Sequence, residues 1–375
     1  MVTQAPSADF SMQRSSREST NIPKALAEWL AAQLPDGAEP TVTLHTGIDA
    51  NGMSSETLVL DASWTENGER REGEFVARVA PAAEDLPVFP EYRLQDQFDA
   101  MRLAAKHSDV PVPTVRWMEP TGDVLGTPFF LMDRVDGEVP PDVLPYNFGD
   151  NWLFDAGPEK QRLLQDNTVK VIAGLHGIPD GASMFKFLEA DADGDSPLHR
   201  NLARTRAWYD YAVADGGPSP LIERGFAWLD AHVPTGTDTV LCWGDSRIGN
   251  VLYRDFEPVG VLDWEMAAVG PREMDLAWLV FAHRVFESIA GALELPGMPD
   301  FLREDDVRST YAGATGVEVG DLSWYQLYDA VQWAIVFLRT GARQVRFGEI
   351  EQPDDIESLM HHRQLFEQLL DEAGA

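Results

Sequence analysis

Three side chains near the middle of the chain have the types and spacing to handle a phosphate-bound cation. Residues 237–276 read TDTVLCWGDSRIGNVLYRDFEPVGVLDWEMAAVGPREMDL. This is the pattern of a loop carrying Asp245, then two apolar strands at 249–254 and 259–264 joined by a short turn at 255–258. A turn centred there sets Val251 against Leu262, Leu252 against Val261, and Asn250 against Asp263. Directly opposed residues share a sheet face with Cβ atoms about 4.5 to 5.5 Å apart. An amide oxygen and a carboxylate that close can hold one hard cation, and an oxygen-only pair with room for waters and phosphates suits Mg²⁺. Asp245 precedes Asn250 by five residues and Asp263 by eighteen. A carboxylate beside a metal-bound triphosphate can accept the proton of an attacking hydroxyl. These are the parts of phosphoryl transfer, in which a protein mainly positions groups and neutralises charge.

Alone, Gly-Asp-x4-Asn also fits a turn cap at a strand start. The combined spacing of Asp, Asn and a second Asp at the end of an apolar strand is that of the catalytic loop and metal-binding Asp in protein-kinase-like enzymes. Residues 243–277 resemble the signature of the aminoglycoside phosphotransferase family: His-Gly-Asp-x4-Asn, then Asp-Trp/Phe-Glu, then Asp-Leu-Ala after a Gly/Pro turn. They are most similar to the branch fused to, or encoded near, acyl-CoA dehydrogenases. The resemblance implies a protein-kinase-like bilobal α+β fold, with an antiparallel N-lobe sheet and a larger, mainly helical C-lobe. It implies Asp245 as catalytic base, Asn250 and Asp263 as Mg²⁺ ligands, ATP or GTP as co-substrate, and Asp275 as a carboxylate bracing the loop. Trp243 stands where the family usually has His, a residue associated with loop order rather than chemistry.

The elements that must position these groups are legible upstream. Residues 1–18 are polar; Ser19, Thr20 and Asn21 then precede a helix with Pro23 in its first turn and Leu26, Trp29, Leu30 and Leu34 on one face. Residues 41–79 read as strands, with Asn67-Gly68 as a hairpin turn. Between strands, Gly52, Ser54, Ser55 and Thr57 form a glycine and hydroxyl segment that can offer backbone N–H groups to phosphates, or serve as an ordinary polar turn. It resembles the family's Gly-x-Ser-Asn-x-Thr loop, with Ser55 in the Asn position.

Kinase-like folds hold phosphates with a cation on the third strand, usually Lys. No lysine lies between Lys24 and Lys106, and Arg78 is the matching residue. Arginine is planar, permanently charged and bidentate, which suits phosphate. For its acidic partner on the helix at 91–106, Glu91 fits by its Glu-Tyr-Arg setting, whereas spacing back from residues 111–113 favours Gln97. Residues 128–135 resemble the strand leading out of the N-lobe. The resemblance places the adenine hinge at residues 132–135, with Asp133 in the usual Glu position and Val135 beside it.

Beyond the hinge the chain is mainly helical, at 161–175, 199–214, 221–233, 276–290, 321–340 and 358–372. The implied organisation is a leading segment at 1–36, a nucleotide-binding N-lobe at 37–134 and a C-lobe at 135–375. The aromatic, acidic stretch 142–157 fits a lid or a packed loop. His176 fits a core hydrogen bond, and the pair His361-His362 fits a solvated face.

Composition narrows the partners. With 62 acidic against 29 basic residues, the chain carries a formal charge of −33, which argues against nucleic acid and anionic membranes. The single cysteine, Cys242, rules out an internal disulfide and fits a packed thiol. No leader pattern and no run of eighteen apolar residues is present, which predicts a cytoplasmic protein.

The expected activity is a small-molecule kinase acting on a hydroxyl; the alternative is a nucleotide-binding pseudokinase serving as sensor or scaffold. An aminoglycoside acceptor would draw on Asp142, Asp150, Glu265, Asp354, Asp355 and Glu357. An apolar alcohol, such as a hydroxyacyl thioester, would draw on Tyr146, Trp152, Phe154, Trp333 and Phe337.

Overall fold

The computed structural model describes residues 21–45, 55–142 and 144–375. Helix α1 (Ile22–Gln33) has Pro23 in its first turn, where the missing N–H costs no hydrogen bond. Five antiparallel strands follow, β1 (Thr41–Leu44), β2 (Glu56–Glu66), β3 (Glu69–Val79), β4 (Val115–Glu119) and β5 (Phe129–Asp133), in the order β1-β2-β3-β5-β4. The β2–β3 turn is the expected one. Asn67 and Gly68 have φ of 53° and 79°, the two left-handed positions that a tight hairpin requires.

Strand alternation gives this sheet two apolar faces. Phe129 and Leu131 of β5 face α1, packing with Leu26, Leu30, Leu60 and Phe75, and Trp29 sits edge-on to Phe129 at 4.7 Å. Phe130 and Met132 face the other way, towards Ala100, Met101 and Ala104 of α2 (Leu94–His107) and the core of the C-terminal part. Residues on the path out of the sheet are tied to a second hairpin, since Glu138 exchanges both backbone hydrogen bonds with Tyr253.

Residues 144–157 take the packed alternative. Tyr146 is buried with its hydroxyl 2.8 Å from His283 Nδ1, Asn147 donates to Glu287, and Asn151 Oδ1 accepts from the N–H groups of Leu153 and Phe154. Then come α3 (Pro158–His176), the single turn α4 (Gly181–Met184), α5 (Pro197–Gly216) and α6 (Pro220–Ala231). Strands β6 (Val240–Cys242), β7 (Val251–Arg254), β8 (Glu257–Val261) and β9 (Ala268–Gly270) form two small ladders, β6 with β9 and β7 with β8. The chain closes with α7 (Glu273–Ala292), α8 (Glu304–Thr315), α9 (Ser323–Arg346) and α10 (Arg363–Glu372). Helix α9 is the hub, with α5, α6, α7 and α10 packed around it. Helix α8 carries only a faint pattern, because Val307 and Tyr311 alone are buried in it.

His362 departs from expectation. It is fully buried, its Nε2–H donates to the Ala330 carbonyl at 3.0 Å, and burial pushes its pKa down to about 4. Only His361 faces solvent, because α10 starts immediately after and turns its neighbour onto α9. Among the described residues no helix is long and apolar enough to cross a membrane.

Candidate active site

The β7–β8 hairpin does not have the expected register. Val251 pairs with Val261 and Leu252 with Gly260, then the ladder shifts so that Tyr253 meets Pro258 and Arg254 meets Glu257. The turn is two residues, Asp255 and Phe256, both left-handed at φ 51° and 67°, and Val259 is the extra residue of a bulge. Pro258, which has no N–H to donate, sits at that irregularity. The expected opposition of Asn250 and Asp263 across a ladder is therefore absent. A slip of one residue would normally turn side chains to the wrong face.

It does not do so here because both residues lie outside the ladder. Asn250 ends a short 3-10 turn, Ile248–Asn250, with its N–H on the Arg247 carbonyl at 3.0 Å. Asp263 follows the last link, Leu262 N–H to Asn250 O at 2.8 Å, and adopts φ 56°. Left-handed backbone is uncommon outside glycine, though aspartate tolerates it better than most residues.

Around these two residues a set of charged groups closes. The Asp245 carboxylate accepts from the Trp278 indole N–H at 2.7 Å and from Arg247 Nε at 3.1 Å. Arg247 also grips Asp142 through Nη1. Burial works against the Arg247 charge, but Asp142 and Asp245 overcome it and raise its pKa. Asn250 Nδ2 donates to the Asp245 carbonyl at 3.0 Å, which leaves its Oδ1 to act as a ligand atom. Asp263 Oδ1 accepts from Arg78 Nη2 at 2.7 Å, and Glu265 stands 3.6 Å from the same nitrogen. Burial raises the Asp263 pKa; Arg78 opposes that shift and the nearby Asp245 charge adds to it.

With Asn250 Oδ1, the Asp263 carboxylate makes a hard oxygen donor set that fits Mg²⁺. Arg78 Nη1 donates to Thr57 Oγ1 at 3.1 Å, the two residues being directly opposed on β2 and β3. Ser55 is buried, and its hydroxyl has no hydrogen-bond partner among the described residues. An orphaned hydroxyl two residues from an arginine-held threonine fits a phosphate.

Under this cluster Asp275 ties the loop down. Its carboxylate accepts the N–H groups of Trp243 and Gly244, each at 2.8 Å, and lies 3.0 Å from His176 Nε2. The other ring nitrogen of His176 meets Tyr311. His176, Cys242 and Asp275 bring potential ligand atoms within 4.8 Å, but each of the three is already hydrogen-bonded within the core. Gly244 has φ 93°, and a Cβ there would lie 2.2 Å from the Met266 carbonyl, so no larger residue fits. The Trp243 indole donates to the Leu262 carbonyl at 2.8 Å, linking the Asp245 loop to the residue before Asp263.

The remaining candidates divide. Gly52 and Ser54 lie outside the described residues. Glu91 is corrected: α2 starts at Leu94, leaving Glu91 exposed ahead of it, and the carboxylates on Arg78 are Asp263 and Glu265. Asp133 ends β5 with its carboxylate held by Arg116 at 2.6 and 2.7 Å, and Val135 follows in the linker. Sequence reasoning missed Arg247 and Trp278. A lone cation two residues after Asp245 was a usable signal; Trp278, on a helix thirty-three residues away, offered none.

Comparison with known proteins bears on the family and the fold. The profile of a family described as "Phosphotransferase enzyme family" matches residues 62–306. The acyl-CoA dehydrogenase-family protein IBR3 of Arabidopsis thaliana is 24% identical over 288 residues, covering 73% of this chain and 33% of that protein. Acyl-CoA dehydrogenase family member 10 of Mus musculus is 26% identical over 213 residues, covering 56% of this chain and 18% of that protein. The chain thus spans a third or less of these curated relatives. A crystal structure from Ralstonia eutropha, assigned to the aminoglycoside phosphotransferases, superposes with a TM-score of 0.63 at 21% identity, covering 94% of this chain and 98% of that one. That likeness is one of fold.

Proposed function

Because the chain belongs to the phosphotransferase enzyme family, we propose that it is a small-molecule kinase that transfers the γ-phosphoryl group of ATP or GTP to a substrate hydroxyl. The observation that carries this reading is that Asn250 and Asp263 both lie beside Asp245: Asn250 Nδ2 donates to the Asp245 carbonyl, and the Asp245 charge is felt at Asp263. Asp245 accepts the hydroxyl proton, its carboxylate oriented by Trp278 and Arg247. Arg78 and the segment 52–57 hold the phosphates, and residues 132–135 take the base. Asn250 and Asp263 would hold Mg²⁺, which when bound neutralises phosphate charge.

The surroundings support an acceptor with an apolar body over a polycationic aminoglycoside. Of the carboxylates a polycation would need, Asp142 is paired with Arg247, Glu265 stands beside Arg78, and Asp355 and Glu357 are paired with Arg363. Trp278, which touches Asp245, lies tilted against Trp333 with ring centroids 5.5 Å apart, and Phe286 lies edge-on to Trp333.

Thermal-shift titration of ATP and GTP with and without Mg²⁺, followed by turnover assays over a panel of alcohols, tests the reading. Mg²⁺-dependent stabilisation with phosphorylated product is expected. Stabilisation that needs no divalent ion, with no product from any acceptor, would replace it with the pseudokinase alternative.

A further inference from the structure

Arg78 lies on β3 with only 10% of its side chain exposed, and a guanidinium buried to that degree is costly unless anions surround it. Helix α2, which packs across the same sheet, does not supply one. Its inward polar residue is the neutral Gln97; Asp96 pairs with Arg93 at 2.5 Å and Asp99 with Arg102 at 2.9 Å. The charge comes instead from the segment after β8, through Asp263 at 2.7 Å and Glu265 at 3.6 Å, with side chains 13% and 8% exposed. Trp264 between them is buried, its indole N–H on the Val261 carbonyl. With that ring turned inward, the residues on either side of it both reach Arg78.

The two acids are not equivalent. On the kinase reading, on which this inference rests, Asp263 is also a ligand of the divalent cation. A cation on that carboxylate withdraws much of the charge that Arg78 relies on. Glu265 stays behind as counter-charge. We propose that Glu265 is the positioning residue for Arg78: it holds the guanidinium in place for the phosphates while the metal occupies Asp263, the task a helix-borne acid would otherwise perform. The phosphate grip is then coupled to the Asp263–Glu265 segment, not to the placement of α2.

Glu265→Gln keeps the shape and removes the charge. Its dissociation constant for MgATP, measured by calorimetry, rises about tenfold, the size of one weakened charge-assisted contact. That for adenosine, which has no phosphate, is unchanged, and Glu265→Asp recovers part of the loss. In an Arg78→Gln background the same substitution costs nothing further, since a residue acting through Arg78 has nothing left to act on. The proposal is overturned if Glu265→Gln binds MgATP like the unaltered protein, if adenosine binding falls in parallel, or if the two losses add. Should Glu265→Gln not fold, Glu265→Asp decides by the same comparison of MgATP with adenosine. If the unaltered protein binds no MgATP, the kinase reading itself falls and takes this inference with it. Titrating the unaltered protein first therefore tells the two failures apart.

Discussion

Replacing Asp245 by Asn separates chemistry from binding. The carboxylate has two donors: the Trp278 indole at 2.7 Å and Arg247 Nε at 3.1 Å. An asparagine keeps one acceptor oxygen, which can stay on Trp278, while its NH₂ faces Arg247. Arg247 is not stranded, because Asp142 still holds it. The loop backbone is pinned by Asp275 through Trp243 and Gly244, and Asn250 bonds to the residue 245 carbonyl, which the substitution leaves intact. The amide turns a donor towards the largely buried Arg247, so stability should fall by about 1 to 3 kcal/mol.

What disappears is the proton acceptor. Loss of a general base costs about 10²- to 10⁴-fold in turnover, or about 3 to 5 kcal/mol of transition-state stabilisation. The assay pairs a thermal shift with MgATP against initial rates of phosphorylated product, using the best acceptor found. The expected result is an unchanged shift with turnover reduced by at least a hundredfold. Undiminished turnover would remove Asp245 from the mechanism. Loss of the nucleotide shift together with turnover would refute the division of labour between Asp245 and the Asn250–Asp263 pair.

Asp275→Asn should destabilise the fold by about 3 to 5 kcal/mol, because a buried carboxylate serving two backbone N–H groups and His176 loses its charge and turns a donor towards a donor. Urea unfolding checks this, and a loss below about 1 kcal/mol would show that the loop is held elsewhere. His362 predicts an acid-side loss of stability. Its folded pKa of about 4 lies below the unfolded 6.5, so the unfolded chain takes up the proton first. The contribution is complete above pH 6.5 and is lost as pH falls towards 4, about 3 kcal/mol in all. In His362→Gln, which can still donate to Ala330, the unfolding midpoint should lose that part of its pH dependence; an unchanged profile would point to other groups.

Much of the candidate site could be read because its acid, amide and acid lie close together in the chain, along one loop and one hairpin. Asp245, Asn250 and Asp263 were picked out as candidates by their spacing and by the family resemblance, and the Asn67-Gly68 turn needed only its two residue types. Arg78 emerged from the absence of lysine, and the helices from their apolar period. Glu91 misled because a local Glu-Tyr-Arg setting says nothing about where a helix begins in space. The His361-His362 pair misled because burial is decided by a partner, here α9, that lies distant in sequence.

The local pattern by itself determined most element types and singled out the acid, amide and acid of the candidate site. Local propensity and alternation act over a few residues, and those features need no more. Tertiary structure alone decided how they meet. A bulge at Val259 and a left-handed Asp263 replaced the simple cross-strand pairing, Trp278 arrived from a distant helix to hold Asp245, and Glu265 took its place beside Arg78. Those outcomes depend on which charges and rings are left to satisfy one another once the chain is buried, and burial is a property of the whole packed molecule.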